Sequence, residues 1–316
     1  MKNILAISNY DDPHIEMVQD HLQQRIEIFD PSQLPDQRNI TYDFADGKMR
    51  IVSNNRRYDR MDSIWFRKPT YLEPHELPVD EEYQTFTHIA YKESVKAFYD
   101  LLCEKFWLSD YRAIMRANNK LLQLELAYDL GFNVPQTMVT SNPKEANKFR
   151  ERNGLIVAKS LSFEPIQRDN DVVAFFTTKI NPEDEVDFSG LSVAPAIFQK
   201  AITNKRDLRI TVVGETVHTA EVIPSSSIKD EIDWRVGILQ KDKIKYEQYK
   251  SLPTEIAQKC VALTKTANLA FGAIDMVIDN QGNYWFLEIN PNGQWAFIED
   301  GTDLPIAKSI ANLLSE

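Results

Sequence analysis

Residues 272–295 read GAIDMVIDNQGNYWFLEINPNGQW. Two apolar runs rich in β-branched and aromatic residues flank Asp279-Asn280-Gln281-Gly282, which predicts a β-hairpin. Two acids sit inside those runs, Asp275 in AIDMVI and Glu288 in WFLEIN. A symmetric turn pairing residue 278 with 283 places Asp275 opposite Phe286. Side chains alternate along a strand, so Asp275, Glu288 and Asn290 then project to one face. Glu288 becomes a diagonal neighbour of Asp275, about 7–8 Å away. A slip of one residue would throw Glu288 to the other face. Two carboxylates and an amide oxygen so placed suit Mg2+, which one or two carboxylates plus substrate phosphates commonly hold. The plainer alternative, polar residues on the wet face of a hairpin, must explain acids within apolar runs, where unpaired charge is costly.

Cationic residues precede the hairpin in the chain. Lys159 terminates LIVAK, a buried strand pattern, which fixes its ammonium at a strand end where a phosphate oxygen can meet it. Lys120 opens the apolar-periodic helix Leu121–Gly131 and reaches toward the same place; alone, either lysine also reads as solvated surface. In FQKAITNKRDLRITVVGETV (residues 198–217), Asp207 suits ribose hydroxyls and Arg209 alternates onto the same strand face. IDWRVG adds Asp233 and Arg235, and an arginine is the residue type that neutralises a transferring phosphoryl group. WFRKP (residues 65–69) puts Arg67 and Lys68 just after an apolar strand end. That is either a ligand-contacting loop of an α/β sheet or a solvated strand end.

Toward the N-terminus, strand patterns at Asn3–Ile7 and Ile26–Phe29 enclose an amphipathic stretch at Ile15–Leu22, the β-α-β opening of an open α/β sheet. Residues 50–52 and 63–66 read as further strands, residues 69–78 as a proline-rich loop and Glu81 to about Lys105 as a long helix. A second unit starts near Leu108, with a strand at Gln136–Val139 and a helix at Pro143–Asn153. A third carries strands at 196–199, 208–213 and 217–223 and helices at Thr254–Leu269 and Leu304–Leu314.

Bulk properties exclude several classes. At 43% hydrophobic and 26% charged residues the chain has the balance of a globular protein, not a disordered one. A net charge of −11 repels nucleic acid and anionic membranes, so neither is expected as a partner. Two cysteines without a CxxC pair and five histidines without HxH or HxxxH spacing argue against a disulfide scaffold or zinc. The N-terminal apolar run is too short for a signal peptide, and no run approaches a membrane span, so a cytoplasmic protein is expected. No GxxxxGK[ST], GxSxG or HRD/DFG set occurs, which excludes P-loop ATPases, hydrolases with that elbow and protein kinases.

The order NK (Asn119, Lys120), VAK (Val157–Lys159), FQK, KRDLR, DWR, AIDM and FLEINPNGQW resembles the ATP-grasp superfamily over roughly residues 110–316. With WFRKP upstream, the pattern is most similar to graspetide synthetases, the microviridin-type ligases that cyclise ribosomal precursor peptides. RimK-like glutamate ligases and glutathione synthetases share the core motifs. The resemblance implies an α/β chain with the ATP-grasp fold. It divides into an N-terminal open α/β pre-ATP-grasp domain (1–110), a central lid domain (111–200) and a C-terminal α+β domain with the metal site (201–316). It implies ATP and Mg2+ as cofactors. Lys120 and Lys159 would contact phosphates, and Gln199, Lys200, Ala201 and Ile202 would form the hinge that meets adenine, Lys200 and Ile202 offering backbone groups. Asp207 would meet the ribose, and Arg235 the γ-phosphate or acyl phosphate. Asp275, Glu288 and Asn290 would hold Mg2+, and Lys159, Arg209 and Arg235 would act on the reacting groups.

The implied activity is ATP-dependent ligation. Asp or Glu side chains of a precursor peptide with a leader segment become acyl phosphates and then intramolecular esters or amides. The rivals are a RimK-like ligase joining an amino acid or small amine to a carboxylate, and a nucleotide-binding module without catalysis. A homodimer is compatible with either. One departure stands out: many ATP-grasp enzymes carry a glycine-rich phosphate loop after the equivalent of Lys159, whereas Ser160–Asp171 contains no glycine. The resemblance therefore assigns no lid residue. The segment Ser160–Asp187 mixes apolar and charged residues and reads either as a peptide-docking surface or as a hairpin packed on its own domain.

Overall fold

Strand β1 (Ile4–Ile7) is buried at all four positions, as an apolar run in a sheet covered on both faces must be. It opens a computed structural model that describes residues 1–33, 39–161, 166–168, 171–173, 177–225, 233–234 and 244–316. Helix α1 (Pro13–Gln19) follows, with Asp12 as its N-cap accepting the His14 N–H and Pro13 in the first turn. Strand β2 (Glu27–Phe29) returns beside β1. The run at residues 50–52 is not a strand of that sheet. It belongs to a separate antiparallel meander of β3 (Thr41–Ala45), β4 (Lys48–Ser53) and β5 (Arg56–Arg57), whose first turn uses Asp46 and Gly47 at positive φ. Strand β6 (Ser63–Phe66) rejoins the first sheet, α2 (Glu81–Leu101) packs Phe98 on Phe29 with ring centroids 4.1 Å apart, and β7 (Phe106–Leu108) completes a parallel sheet ordered β2-β1-β6-β7.

Two helices, α3 (Tyr111–Ala117) and α4 (Lys120–Asp129), lead into the next sheet. Asn119 caps α4 through the Leu121 and Leu122 N–H groups, which fixes Lys120 as the first helical residue. Strand β8 (Thr137–Thr140), helix α5 (Pro143–Asn153) and strand β9 (Ile156–Lys159) come next, followed by a hairpin of β10 (Ile166–Arg168) and β11 (Asp171–Val173). Strands β12 (Thr178–Ile180) and β13 (Ala196–Lys200) close an antiparallel sheet ordered β12-β9-β13-β8. Phe149, Ile156, Phe188 and Phe198 form its own small core.

The last sheet is antiparallel and five-stranded, ordered β16-β15-β14-β17-β18. Its members are β14 (Arg206–Val213), β15 (Thr216–Ile223), β16 (Lys245–Gln248), β17 (Phe271–Ile278) and β18 (Tyr284–Asn290). Every residue of the central β17 is buried. Helix α6 (Thr254–Thr266) covers one face through Cys260 and Leu263. Helices α7 (Ala296–Thr302) and α8 (Ile306–Ser315) cover the other, and α8 packs between β14 and β6, joining this sheet to the first. Both cysteines are free thiols, as their spacing predicts. No helix among the described residues is long and apolar enough to cross a membrane.

Candidate active site

The hairpin forms, but not with a symmetric register. Ile278 pairs with Tyr284 and Met276 with Phe286; the register then shifts by one, so that Asp275 pairs with Glu288 and Ala273 with Asn290. Leu287 is the extra residue of a β-bulge. Asp275 is therefore directly opposite Glu288, neither opposite Phe286 nor diagonal to Glu288. The three side chains still share one face, because the bulge restores the phase that an unbroken ladder from Ile278–Tyr284 would have lost. Two polar groups from outside the sheet cover this edge strand. Asn133 accepts the Phe286 N–H at 2.8 Å and donates its amide to the Tyr284 carbonyl at 3.1 Å. On the far side of the bulge, the buried Gln123 of α4 accepts the Ile289 N–H at 3.1 Å and donates to the Ile289 carbonyl at 2.8 Å.

After β18 the segment Pro291–Trp295 is held by two buried arginines. Arg209 of β14 forms an ion pair with Asp275 at 2.7 Å and donates to the Gln294 carbonyl at 3.2 Å. Gly293 makes this approach feasible: a Cβ there would stand 2.6 Å from the Ala273 Cβ and 2.9 Å from Arg209 Nη2. Arg67, 1% exposed, reaches from the end of β6 to the Asn292 carbonyl, the Asn292 side chain and Gln294 Oε1. Asp12 lies 3.3 Å from its Nε, and His14 lies between Asp12 and the segment. Burial pushes the His14 imidazole below its usual pKa, against the opposing effect of Asp12. Arg67 is thus a clamp rather than a solvated strand end.

On the other side of the acid pair, a cleft opens between the second and third sheets. Its walls include Val157, Gln199, Ile202, Leu208, Met276 and Leu287. Lys159 donates to Gln199 Oε1 at 3.0 Å, and Gln199 donates to Thr137 Oγ1 at 2.9 Å, which ties the ends of β9, β13 and β8 together. The hinge backbone is fixed: the Lys200 N–H donates to the Gln136 carbonyl at 2.9 Å and the Ala201 N–H to the Leu155 carbonyl at 3.1 Å. Asp207 lines the cleft with Lys205, whose ammonium lies 2.6 Å from Asp207 Oδ2. Burial raises the Asp207 carboxyl pKa, Lys205 opposes this and Asp233 adds to it.

The cleft continues past Lys159 and Glu288, which line both halves. The second half is lined by Lys120, Ser160, Thr177 and Asn290 together with Lys68, Tyr71 and Met115. Lys120 donates to the Ser160 carbonyl at 2.8 Å, and Lys120 and Lys159 both line this half of the cleft. Arg209 lies behind Asp275 and does not line the cleft. Arg235 lies outside the described residues, as do most side chains of the 160–187 segment, including Phe163, Ile166, Val172, Phe175 and Phe176. Gln123 and Lys205 gave no sequence signal of a site: one is a glutamine within the helical LLQLEL, the other a single lysine in a polar loop.

A family profile describing the RimK-like ATP-grasp domain matches residues 117–314. The chain belongs to the RimK-like ATP-grasp family. Among solved structures, this ATP-grasp chain is similar to the RiPP-associated ATP-grasp ligase of Chryseobacterium gregarium in complex with ADP and a leader and core peptide. Identity is 28%, coverage is 100% of this chain and 97% of that one, and the TM-score is 0.90. It is also similar to macrocyclase MdnC of Microcystis aeruginosa MRC bound with precursor peptide MdnA, at 26% identity, 100% and 99% coverage and a TM-score of 0.83. Macrocyclase MdnB of the same organism matches at 25% identity, 99% coverage of both chains and a TM-score of 0.76. No curated protein matches the chain.

ATP-grasp ligases use ATP and Mg2+, and the residues present fit the ion. Asp275, Glu288 and Asn290 are hard oxygen donors on one sheet face, at the point where the two halves of the cleft meet. Arg209 occupies Asp275 Oδ1, while Oδ2 receives a long 3.4 Å contact from the Asn290 amide. Turning that amide over would present its oxygen to the same point.

Proposed function

We propose that this chain activates Asp or Glu side-chain carboxylates of a ribosomal precursor peptide with ATP and joins them to hydroxyl or amine side chains of the same peptide as esters or amides. The observation that carries the reading is the full-length likeness to a peptide-bound ATP-grasp ligase, N-terminal sheet included, together with a cleft that runs on beyond the phosphate-facing lysines.

Lys159 and Lys120 project from a strand end and a helix start, and their ammonium groups steady the triphosphate and draw charge from its γ-phosphoryl group. Mg2+ held by Asp275, Glu288 and Asn290 would neutralise charge on the β- and γ-phosphate oxygens. The substrate carboxylate forms a bond to the γ-phosphorus as the bond to ADP breaks, giving an acyl phosphate. A hydroxyl or amine then attacks the acyl carbon, inorganic phosphate leaves, and the nucleophile's proton passes to solvent or phosphate. Arg209 keeps Asp275 oriented throughout, and Arg235 is assigned to the charge on the transferring group from its sequence context.

Mixing the chain with a neighbouring-gene precursor, ATP and Mg2+ tests the proposal. Products lighter by one water per ring support it. Ligation of free amino acids with the precursor unchanged would replace it by the small-molecule ligase.

A further inference from the structure

Lys68 stands apart from the other cations of the site. Arg67 and Arg209 are buried and paired with Asp12 and Asp275. Lys120 and Lys159 already donate to protein oxygens. Lys68 is open to solvent in the cleft, and no described carboxylate lies within ion-pairing distance of it. It lines the same half of the cleft as Asn290 and Gly293, two residues after the end of β6 in the N-terminal sheet. Partial desolvation by the cleft walls and the nearby Arg67 and Arg209 charges lower its pKa, with Asp12 opposing them, although its side chain remains open to solvent, so an arriving anion is favoured there.

Its backbone is fixed in an unusual shape. Lys68 has a φ of 33°, a left-handed conformation that costs a non-glycine residue energy and persists where the surroundings enforce it. The enforcement is visible on both sides. The Arg67 N–H donates to the Ile7 carbonyl at 2.9 Å, and the Thr70 N–H donates to Asn9 Oδ1 at 2.9 Å. Pro69 narrows the remaining freedom.

Position selects the ligand. The hinge and Asp207 line the first half of the cleft, Lys159 and Glu288 line both halves, and Lys120, Asn290, Lys68 and Tyr71 line the second. A nucleotide seated at the hinge directs its phosphates toward the shared residues. The far end is where the attacking group must lie, in line with the breaking bond and on the side away from ADP. We infer that Lys68 is the residue that grips the substrate carboxylate, holding it against the γ-phosphate and offsetting the repulsion between two anions. This rests on the proposed peptide ligation and names the residue that orients its first nucleophile.

Binding separates the roles without requiring turnover. The full chain, loaded with ADP and Mg2+, is titrated by calorimetry with the precursor and with its analogue in which the ring-forming Asp or Glu is Asn or Gln. Wild type should prefer the carboxylate peptide by about tenfold, the scale of one charge-assisted hydrogen bond. Lys68→Met should bind both peptides with affinities within about twofold of each other, Lys68→Arg should keep most of the preference, and ADP affinity should be unchanged in both variants. A purely structural role would weaken both peptides alike. If Lys68→Met keeps the wild-type preference, or loses ADP affinity in parallel, the assignment is overturned while peptide ligation stands. If wild type binds neither peptide, both fall.

Discussion

Asp275 and Glu288 face each other across β17 and β18 because Leu287 is an extra residue in the ladder between them and the turn. Asp275 also carries a buried ion pair to Arg209. Both Asp275→Asn and Glu288→Gln should abolish phosphate release and peptide modification at saturating Mg2+. Asp275→Asn should also destabilise the fold, by about 3 kcal/mol, since it leaves a buried arginine without its counter-ion. Chemical denaturation and a phosphate-release assay measure the two effects separately. Near-normal turnover by either variant contradicts the metal assignment.

Gly293→Ala forces a methyl group against Ala273 and the Arg209 guanidinium. The expected cost is about 1–3 kcal/mol of stability, with a larger fall in kcat than in ATP affinity, because the displaced groups surround Asp275 rather than the hinge. Unfolding curves and nucleotide titration on one preparation decide it.

Gln123→Leu keeps the volume of a buried side chain but leaves the Ile289 N–H and carbonyl without their partner. The predicted loss is about 2–4 kcal/mol, from two stranded backbone groups at about 1–3 kcal/mol each with partial relaxation. Amide exchange should accelerate at Ile289 and not at Met276. Uniform protection would mean that another group takes over the edge.

Arg235→Ala is expected to leave ATP binding within about a few-fold and to slow product formation by about a hundredfold or more, as loss of one transition-state donor does. A collapse of ATP affinity would instead make it a binding residue.

His14 gives the fold an acid-sensitive joint. Its folded-state pKa is depressed, so between that value and the unfolded value of about 6.5 the unfolded chain binds more protons. The stability held by neutral His14 is complete above about pH 6.5 and fades as pH falls through this window. His218, also depressed by burial, contributes in the same direction. His14→Asn should therefore flatten, without abolishing, the decline in urea midpoint between about pH 7.5 and 5.5. An unchanged slope would show that His14 does not titrate differently on unfolding. The groups that face His14 are Asp12, Arg67 and Lys68.

Much of this was legible in the residues because the signals are local. The hairpin turn, the AIDM and FLEIN acids, Lys159 at the end of its strand and the helix Pro143–Asn153 each follow from periodicity and turn chemistry within about a dozen residues. The bulge at Leu287 was not, since nothing in WFLEIN marks which residue will be left unpaired; the choice is made by Asn133 and Gln123, about 150 residues away in sequence. The β3–β5 meander was missed for the opposite reason. Its strands are half exposed and polar, so one of them read as a fragment of the apolar open sheet. Helix α7 hides in AFIEDGT, where a glycine and an aspartate dilute the helical pattern.

Arg67 has a consequence for how the chain can be divided. Its guanidinium spans from the first sheet to Asn292 and Gln294, two and four residues beyond Asn290. The N-terminal hundred residues are therefore not a detachable accessory: excised, they would take away the peg on which the Pro291–Trp295 segment hangs, and residues 111–316 expressed alone would carry every residue proposed to meet the nucleotide yet lack the grip on the segment that follows Asn290. Chimeras that exchange the N-terminal sheet between relatives to alter peptide preference should succeed only when Arg67, Asn292 and Gln294 travel together, so that the seam in function falls within a motif rather than between domains.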